Sequence, residues 1–146
     1  MKCPFCRKET KDVYNTRKTR FSTQIWRRRR CGHCGESFTT YEQVDLKFLR
    51  VRKPKQTKTR PYSRAQLFTS IYAAFHNSGA NPKVIDAVTD TIESKLLDLK
   101  QDVLTSQEIT GIVLAVLKHF DNAAYLRYLS DHVDVASPAK LRKYLT

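Results

Sequence analysis

The residues of this chain best suited to chemistry are its four cysteines, which stand in two C-x2-C pairs. Cys3 and Cys6 form the first pair, Cys31 and Cys34 form the second, and 24 residues separate the two. Two such pairs supply four thiolates, which is the ligand set of a closed tetrahedral site for structural Zn²⁺. A thioredoxin-like redox pair and unligated buried thiols are the alternatives. Because every cysteine belongs to a pair, the spacing predicts a zinc site made of all four.

The segment that carries the cysteines is small, which gives zinc an energetic role. A length of about 45 residues is close to the size below which an apolar core rarely stabilises a fold alone. Structural zinc contributes on the order of 10 kcal/mol to folding. Gly32 and Gly35 suit a tight second turn around the metal. His33 could replace a cysteine as ligand, but as a fifth candidate it is expected at the surface.

Four consecutive arginines, Arg27 to Arg30, directly precede the second cysteine pair, and Arg17 lies upstream of them. In a strand, alternate side chains point to opposite faces, so Arg27 and Arg29 are expected to face away from Arg28 and Arg30. A basic β platform of this kind is suited to phosphate contacts and to the reading of guanine by arginine. The alternatives are a solvated charged face and a localisation-like basic patch.

The charge of the chain points to a polyanionic partner. Its 146 residues include 27 Lys and Arg against 14 Asp and Glu, a net charge of +13. Residues 1–64 hold 19 of the basic and 5 of the acidic residues, so this part carries the whole excess. The longest apolar run, 112–117, is far shorter than the roughly 20 residues of a membrane span. With no apolar signal segment after Cys3, we expect a cytoplasmic protein with reduced thiols and no membrane partner.

The elements that must position these residues change in type along the chain. Up to about residue 50 the pattern is short and β-like, with brief runs expected as strands at 13–14, 23–26, 38–41 and 44–51, the last with a bulge. Trp26 could stack on a base, but beside Ile25 it is expected in the ribbon core. A basic segment with two prolines, 50–63, marks the boundary. The sequence therefore predicts an α+β protein: a small β zinc ribbon, then a mainly helical domain.

The helices of the second part are marked by caps and turns. The first is expected to follow Ser63 and to stop at Gly79, and the second is expected to start at Asn81. Thr105 and Glu108 form a capping-box signature for the third. A fourth should run over about 122–132, and residues 137–138 can begin a short basic helix. The apolar residues expected on the buried faces are Leu67, Ile71, Phe75, Val84, Ile85, Val88, Ile92, Leu96, Ile109, Ile112, Val113, Val116, Leu117, Phe120, Ala124, Tyr125, Tyr128 and Leu129.

Several motifs together resemble the amino-terminal zinc ribbon of the NrdR family. They are the two cysteine pairs, the segment Val13-Tyr14-Asn15-Thr16-Arg17, the arginine run, and Phe38-Thr39-Thr40-Tyr41-Glu42. Members of that family are bacterial transcriptional repressors of ribonucleotide reductase genes and join the ribbon to an ATP-cone domain. The resemblance implies a DNA-binding ribbon over 1–46 using Arg17 and Arg27 to Arg30, a cone-like nucleotide-binding and oligomerisation domain over 47–136, and a basic C-terminal helix or tail over 137–146.

The resemblance also implies a short β-hairpin at the start of the cone and a site for ATP or dATP. It places Arg52, Lys53, Lys55 and Tyr125 at that site. Two departures stand out: the Asp-Gly turn of the family is absent from Lys53-Pro54-Lys55-Gln56, and a family lysine is replaced by Gln66. For Tyr125, packing in the helix core is the simpler interpretation of its pattern.

The resulting hypothesis is a repressor whose ribbon binds double-stranded promoter DNA in the nucleoid and whose cone, on binding adenine nucleotide, sets the state of a homo-oligomer. The alternative is an RNA-binding or ribosome-associated ribbon with a helical partner-docking domain. An enzyme is not expected, because the sequence offers no evident nucleophile with a base and no phosphate-binding glycine loop.

Overall fold

A computed structural model of the chain describes residues 1–18 and 24–145. The chain divides into two compact units, Met1–Asp45 and a second that begins at Leu46. The two-part α+β architecture expected from the sequence is confirmed, with strands before the helices. Of the strand expected at 23–26, Thr23 lies outside the described residues.

The first unit contains a three-stranded antiparallel sheet. Its strands are β1 (Val13–Lys18), β2 (Ile25–Arg30) and β3 (Ser37–Glu42), in the order β1-β2-β3. All four arginines of the run lie in the central strand, and Arg30 pairs with Ser37. A shift in register between Val13 and Asn15 marks a bulge in β1. This sheet is the platform that presents the basic side chains.

The bulged strand expected over 44–51 is wrong. A single 3-10 turn forms at Leu46–Phe48, and only Arg50–Arg52 is extended, as β4. Leu46 and Leu49, three residues apart, are both buried in the second unit, whereas Val44 and Phe48 remain about half exposed. In a strand, Leu46 and Leu49 would point to opposite faces, whereas a 3-10 turn has three residues per turn and lets both face the core.

The second unit opens with a small mixed sheet. Strand β4 pairs antiparallel with β5 (Thr59–Pro61), which confirms the hairpin that the resemblance implied. On its other side β4 pairs in parallel with β6 (Val103–Thr105), so Val51 lies opposite Leu104. A strand of three residues with a distant parallel partner carries no periodic signal, so the sequence did not predict β6.

The described residues form five helices, and the first four begin directly after cap residues that the sequence contains. They are α1 (Arg64–Ala74), α2 (Pro82–Asp98), α3 (Ser106–Phe120), α4 (Asn122–His132) and α5 (Pro138–Leu145). Ser63, Asn81 and Thr105 each accept a hydrogen bond from a backbone N–H of the helix that they precede, and Thr105 completes a capping box with Glu108. The stop expected at Gly79 is too late, because α1 ends at Ala74 and a turn follows in which Gly79 has φ +66°.

The core of the second unit lies between α1, α2, α3, α4 and β6. Its fully buried residues include Ile71, Ile85, Ile92, Leu96, Leu104, Val113, Leu117, Ala124 and Leu129. The predicted helix faces are largely confirmed, but Phe120 is 53% exposed at the end of α3 and meets Phe75 edge to face. Leu141 and Tyr144 of α5 pack against the same core. No helix among the described residues has the length and apolar character that a bilayer crossing requires.

Candidate functional site

The four cysteines predicted as zinc ligands converge in the first unit. Their Sγ atoms all lie within 4.8 Å of one another, with 3.7 Å between Cys3 and Cys34 and 3.6 Å between Cys6 and Cys31. Tetrahedral Zn–S bonds of about 2.3 Å would place sulfur atoms roughly 3.8 Å apart. The spacing therefore fits one Zn²⁺ held by Cys3, Cys6, Cys31 and Cys34. His33 is exposed and outside the cluster, as expected.

Each cysteine pair sits on the same kind of backbone turn. The N–H of Arg7 donates to the carbonyl of Cys3, and the N–H of Gly35 donates to the carbonyl of Cys31, at 3.0 and 2.9 Å. Arg7 and Gly35 both have positive φ, 65° and 76°. Backbone N–H groups of Cys34 and then of His33 lower the pKa of the Cys31 thiol, which favours the thiolate form in which cysteine binds zinc. For Cys34, the hydrogen bond from the Glu36 backbone is outweighed by burial and the neighbouring thiols, which together raise the pKa of its thiol.

The register of the ribbon sheet sorts the predicted DNA-binding arginines onto two faces. Arg17, Trp26 and Tyr41 lie in one row across the strands, and Asn15, Arg28 and Thr39 lie in the next row of the same face. Arg30 follows, opposite Ser37. The alternate rows, on the other face, are Lys18 with Ile25 and Glu42, Thr16 with Arg27 and Thr40, and Val13 with Arg29 and Phe38. The expected alternation of the arginines is present.

The two faces engage their arginines differently. On one face Arg27 donates from Nε and Nη2 to Oε2 of Glu42, at 2.9 and 2.7 Å, and Arg29 donates to Oγ1 of Thr40 at 3.0 Å. On the other face Arg28 donates from Nε to the hydroxyl of Tyr14 at 3.2 Å. A carboxylate therefore compensates the charge of Arg27, while Arg28 is oriented by neutral groups.

Trp26 is not the buried core residue that the sequence predicted. It is partly exposed, and the guanidinium carbon of Arg17 lies 5.7 Å from its ring centroid, a cation–π distance. Hydrogen bonds with Arg28 and then with Ser37 lower the pKa of Tyr14. Because both partners belong to the face of Arg17 and Trp26, the exposed phenol of Tyr14 lies on that face as well. A sheet of three short strands offers little apolar surface that could cover a large aromatic ring, which is why Trp26 stays near the surface.

The second unit contains a cleft formed by two adjacent cavities of about 930 and 190 Å³. Both are lined by Ser106, Thr110 and His132. The larger cavity extends from Pro54 in the hairpin turn to Tyr144 of α5. The smaller one lies under β4 and β5 and is lined also by Arg60, Tyr62, Gln66, Ser70 and Tyr128. Cavities of this size with scattered polar groups suit a small-molecule ligand.

Tyr128 and His132 form the inner wall of the cleft. Their rings stack in parallel with centroids 3.9 Å apart. Burial raises the pKa of Tyr128, whose hydroxyl bonds with Ser70 and Thr110 act in the opposite direction. Tyr128 is buried in the core, as the sequence predicted, whereas His132 was not among the predicted site residues. Only their spacing of four residues on α4, which puts both on one helix face, could have signalled the pair.

The residues predicted for nucleotide binding are not all at this cleft. Lys53 and Lys55 flank Pro54 in the hairpin turn. The pKa of the Glu108 carboxyl is lowered mainly by its hydrogen bonds with Thr105, and the nearby charge of Arg52 lowers it further. Tyr125 instead is 7% exposed, donates its hydroxyl to the Tyr144 carbonyl at 2.5 Å, and lines neither cavity. Of the turn, Pro54 lines the larger cavity, and Lys53 and Lys55 are its neighbours in the chain, whereas Tyr125 bonds to α5 away from both cavities.

A charged cluster that the sequence did not reveal anchors one wall of the cleft. Arg64, at the start of α1, bonds Glu93 and donates to Asp86 and Asp90 of α2 at 2.6 and 2.8 Å. The hydroxyl of Tyr62, a cleft residue, donates to Glu93 at 2.9 Å. Burial raises the pKa of Asp90 and of Glu93, and Arg64 acts against that shift. The cluster fixes the corner between β5 and α1 against α2.

The fold and the sites define a protein in which a zinc ribbon is joined to an ATP cone. Residues 1–42 match the family described as transcriptional repressor NrdR-like, N-terminal domain, and residues 49–134 match the ATP cone domain. A protein named transcriptional repressor NrdR from a Roseiflexus species is 33% identical over 143 residues, covering 98% of this chain and 93% of that protein. One of the same name from an Acidovorax species is 38% identical over 130 residues, covering 89% and 87%. The chain belongs to the NrdR family.

Proposed function

We propose that this protein is a nucleotide-responsive transcriptional repressor that binds promoter DNA through its zinc ribbon. The observation that carries the proposal is a sheet with four arginines on its central strand, adjoining a cysteine cluster of zinc dimensions. Relatives that share nearly the whole chain are named transcriptional repressors, which favours a regulator over an enzyme. With DNA as its partner, the protein is proposed to act in the cytoplasm, at the nucleoid.

Zinc in this proposal acts on structure. Cys3, Cys6, Cys31 and Cys34 would hold it, and the ion would tie the first turn of the ribbon to the segment that follows β2. Strand β2 ends at Arg30, next to Cys31, so a zinc ion bound by the cysteines would hold the end of the arginine strand in place. A rigid basic surface binds phosphate without first losing conformational freedom, which is the advantage of preorganisation.

The cleft of the second unit is the proposed site for ATP or dATP. Lys53 and Lys55 in the hairpin turn supply positive charge for the phosphates, and Arg52 lies on the strand that leads into that turn. Gln66, where the family has lysine, lines the smaller cavity and can donate a neutral hydrogen bond. For Tyr125 we propose an indirect role: its bond to Tyr144 holds α5, which forms one wall of the larger cavity.

Nucleotide is proposed to control the assembly of several copies of the chain. A ligand that binds one oligomeric state better than another shifts the population toward that state. Several ribbons on one assembly gain affinity for adjacent DNA sites through effective concentration. Ribonucleotide reductase promoters are the proposed targets, on the resemblance to the family.

The proposal is tested by fluorescence anisotropy of the zinc-loaded protein with a labelled duplex from a reductase promoter. A scrambled duplex and an RNA hairpin serve as competitors, each without nucleotide and with ATP or dATP, and light scattering reports the assembly. We expect preference for the promoter, a nucleotide-dependent change in mass, and affinity that falls by about a thousandfold between about 50 and 200 mM salt if roughly six phosphates are neutralised. Equal affinity for the RNA and no response to nucleotide would favour the RNA-binding alternative.

A further inference from the structure

We infer that one face of the ribbon sheet makes the DNA contacts, the face that carries Arg17, Arg28 and Arg30. We call it the aromatic face, because Tyr14, Trp26 and Tyr41 share it. The inference rests on the proposed function and divides the five arginines predicted to bind DNA into two groups. Arg27 and Arg29, on the opposite face, are assigned to holding the sheet.

Charge separates the two faces. Among the described strand residues, the rows of the aromatic face hold three arginines and no carboxylate: Arg17, Trp26 and Tyr41; Asn15, Arg28 and Thr39; Arg30 and Ser37. The described rows of the opposite face also hold three cations, Lys18, Arg27 and Arg29, but they add Glu42, whose carboxylate accepts two hydrogen bonds from Arg27. A phosphate that approached that face would meet the Glu42 carboxylate, which is 62% exposed. The aromatic face therefore attracts a polyanion more strongly.

The spacing of the arginines also suits a regular polyanion. Arg17, Arg28 and Arg30 occupy three successive rows of one face. Alternate residues of a strand are about 6.7 Å apart, which is roughly two base-pair rises of 3.4 Å along a duplex. The hydroxyl of Tyr14 and Oγ1 of Thr39 each accept from Arg28, at 3.2 and 3.0 Å, and so orient its plane. A guanidinium with five N–H groups held in this way keeps donors for a phosphate or a base edge.

The exposed aromatics support an interface at the same place. Tyr14 and Tyr41 are 59% and 62% exposed, and Trp26 carries Arg17 against its ring. Tyrosine, tryptophan and arginine are the residues enriched in the energetic centres of interfaces, whereas a solvated surface gains nothing from exposing large rings. The occupant to which we commit is duplex DNA, since the matched relatives are named transcriptional repressors.

The test compares arginines that lie side by side on β2 but on opposite faces. Arg28→Ala and Arg30→Ala are measured against Arg27→Ala and Arg29→Ala in the full-length, zinc-loaded protein with the promoter duplex. We expect the first two to weaken binding about tenfold or more at 100 mM salt and to reduce the salt slope by about 0.9 each. The second two should weaken binding less than about threefold, because their side chains lie on the face away from the DNA and bond to Glu42 and Thr40. Zinc content and far-UV circular dichroism verify that each variant is folded.

A second pair of variants tests the aromatics. Tyr41→Ala is expected to weaken DNA binding about fivefold or more, while Tyr41→Phe, which keeps the ring, should stay within about twofold of the wild type. Tyr72→Ala is the matched control, since Tyr72 is 54% exposed on α1 of the other unit.

Three results would overturn the inference in different ways. If the alanine variants of both faces lost DNA affinity equally, the assignment of DNA contacts to one face would be wrong, while the proposed function would stand. A preference of the wild type for the RNA hairpin, lost on Arg28→Ala, would keep the face and replace duplex DNA as its occupant. A wild-type protein that does not distinguish the promoter from scrambled duplex and shows no salt slope would end both the inference and the proposed function.

Discussion

Replacement of Arg64 by methionine tests the charged cluster that anchors the cleft. Methionine keeps an unbranched apolar stem and removes the guanidinium that bonds Asp86, Asp90 and Glu93. The side chains of Arg64 and Glu93 are 25% and 13% exposed, so the cluster lies between a surface pair and a buried one. Breaking a buried pair costs about 3–5 kcal/mol and a surface pair about 0–1 kcal/mol. After discounting for the 57% exposed Asp86, we expect a loss of about 2–3 kcal/mol.

The loss should depend on pH, and the direction follows from the carboxyl groups. Burial raises the pKa of Asp90 and Glu93, and the charge of Arg64 lowers it, so Arg64→Met raises both further. A carboxyl whose pKa is higher in the folded than in the unfolded state contributes stability at low pH that is lost as the pH rises through the folded value. The variant is therefore destabilised more at about pH 7.5 than at about pH 5.5.

The assay is urea unfolding followed by far-UV circular dichroism with zinc present. The described helices all lie in the second unit, so the helical signal reports that unit. With a slope of about 1.5 kcal/mol per M, the midpoint should fall by about 1.5 M at the higher pH. Lys118→Met, an exposed charge in the last turn of α3, is the control and should change stability by less than about 0.5 kcal/mol. A loss below 0.5 kcal/mol for Arg64→Met, or a larger loss at pH 5.5, would refute the reasoning.

Three further predictions concern the ribbon and the C-terminal helix. Cys31→Ser, or a strong chelator, should abolish DNA binding while the helical signal of the second unit persists; retained DNA binding without zinc, measured by anisotropy and metal analysis, would contradict it. Gly35→Ala should destabilise the ribbon by about 1–2 kcal/mol, because φ is +76° there, and weaken zinc retention in a chelator competition; Gly32→Ala is the comparison at negative φ. Tyr125→Phe should increase the protease sensitivity of α5 by removing its bond to Tyr144, with nucleotide affinity reduced less than by Tyr128→Ala in calorimetry.

The sequence was most informative where local chemistry decides the structure. Cysteine spacing predicted the metal cluster because a C-x2-C turn brings its two thiolates together without help from the rest of the chain. Ser63, Asn81 and Thr105 predicted helix starts because a cap bonds to backbone N–H groups only two or three residues away. The apolar faces of α2 and α4 followed from their helical period.

Local pattern failed where distant residues compete for the same segment. Val44 to Val51 alternate well enough for a strand, but the core of the second unit takes up Leu46 and Leu49 and turns the chain between them. Strand β6 exists because Leu104 has a parallel partner in Val51, more than fifty residues earlier. The phenol of Tyr125 is committed to the backbone of α5, a contact that helix periodicity cannot reveal.

The arginine run shows what each level decided. The sequence by itself determined that Arg27 to Arg30 alternate between two faces and adjoin a cysteine that fits zinc, since both follow from neighbours in the chain. Tertiary structure alone decided which face is compensated, because the register of β3 places Glu42 beside Arg27 and Thr39 beside Arg28. It likewise decided that α1 and α2 meet through Arg64, since three carboxylates reach one guanidinium only after the helices pack.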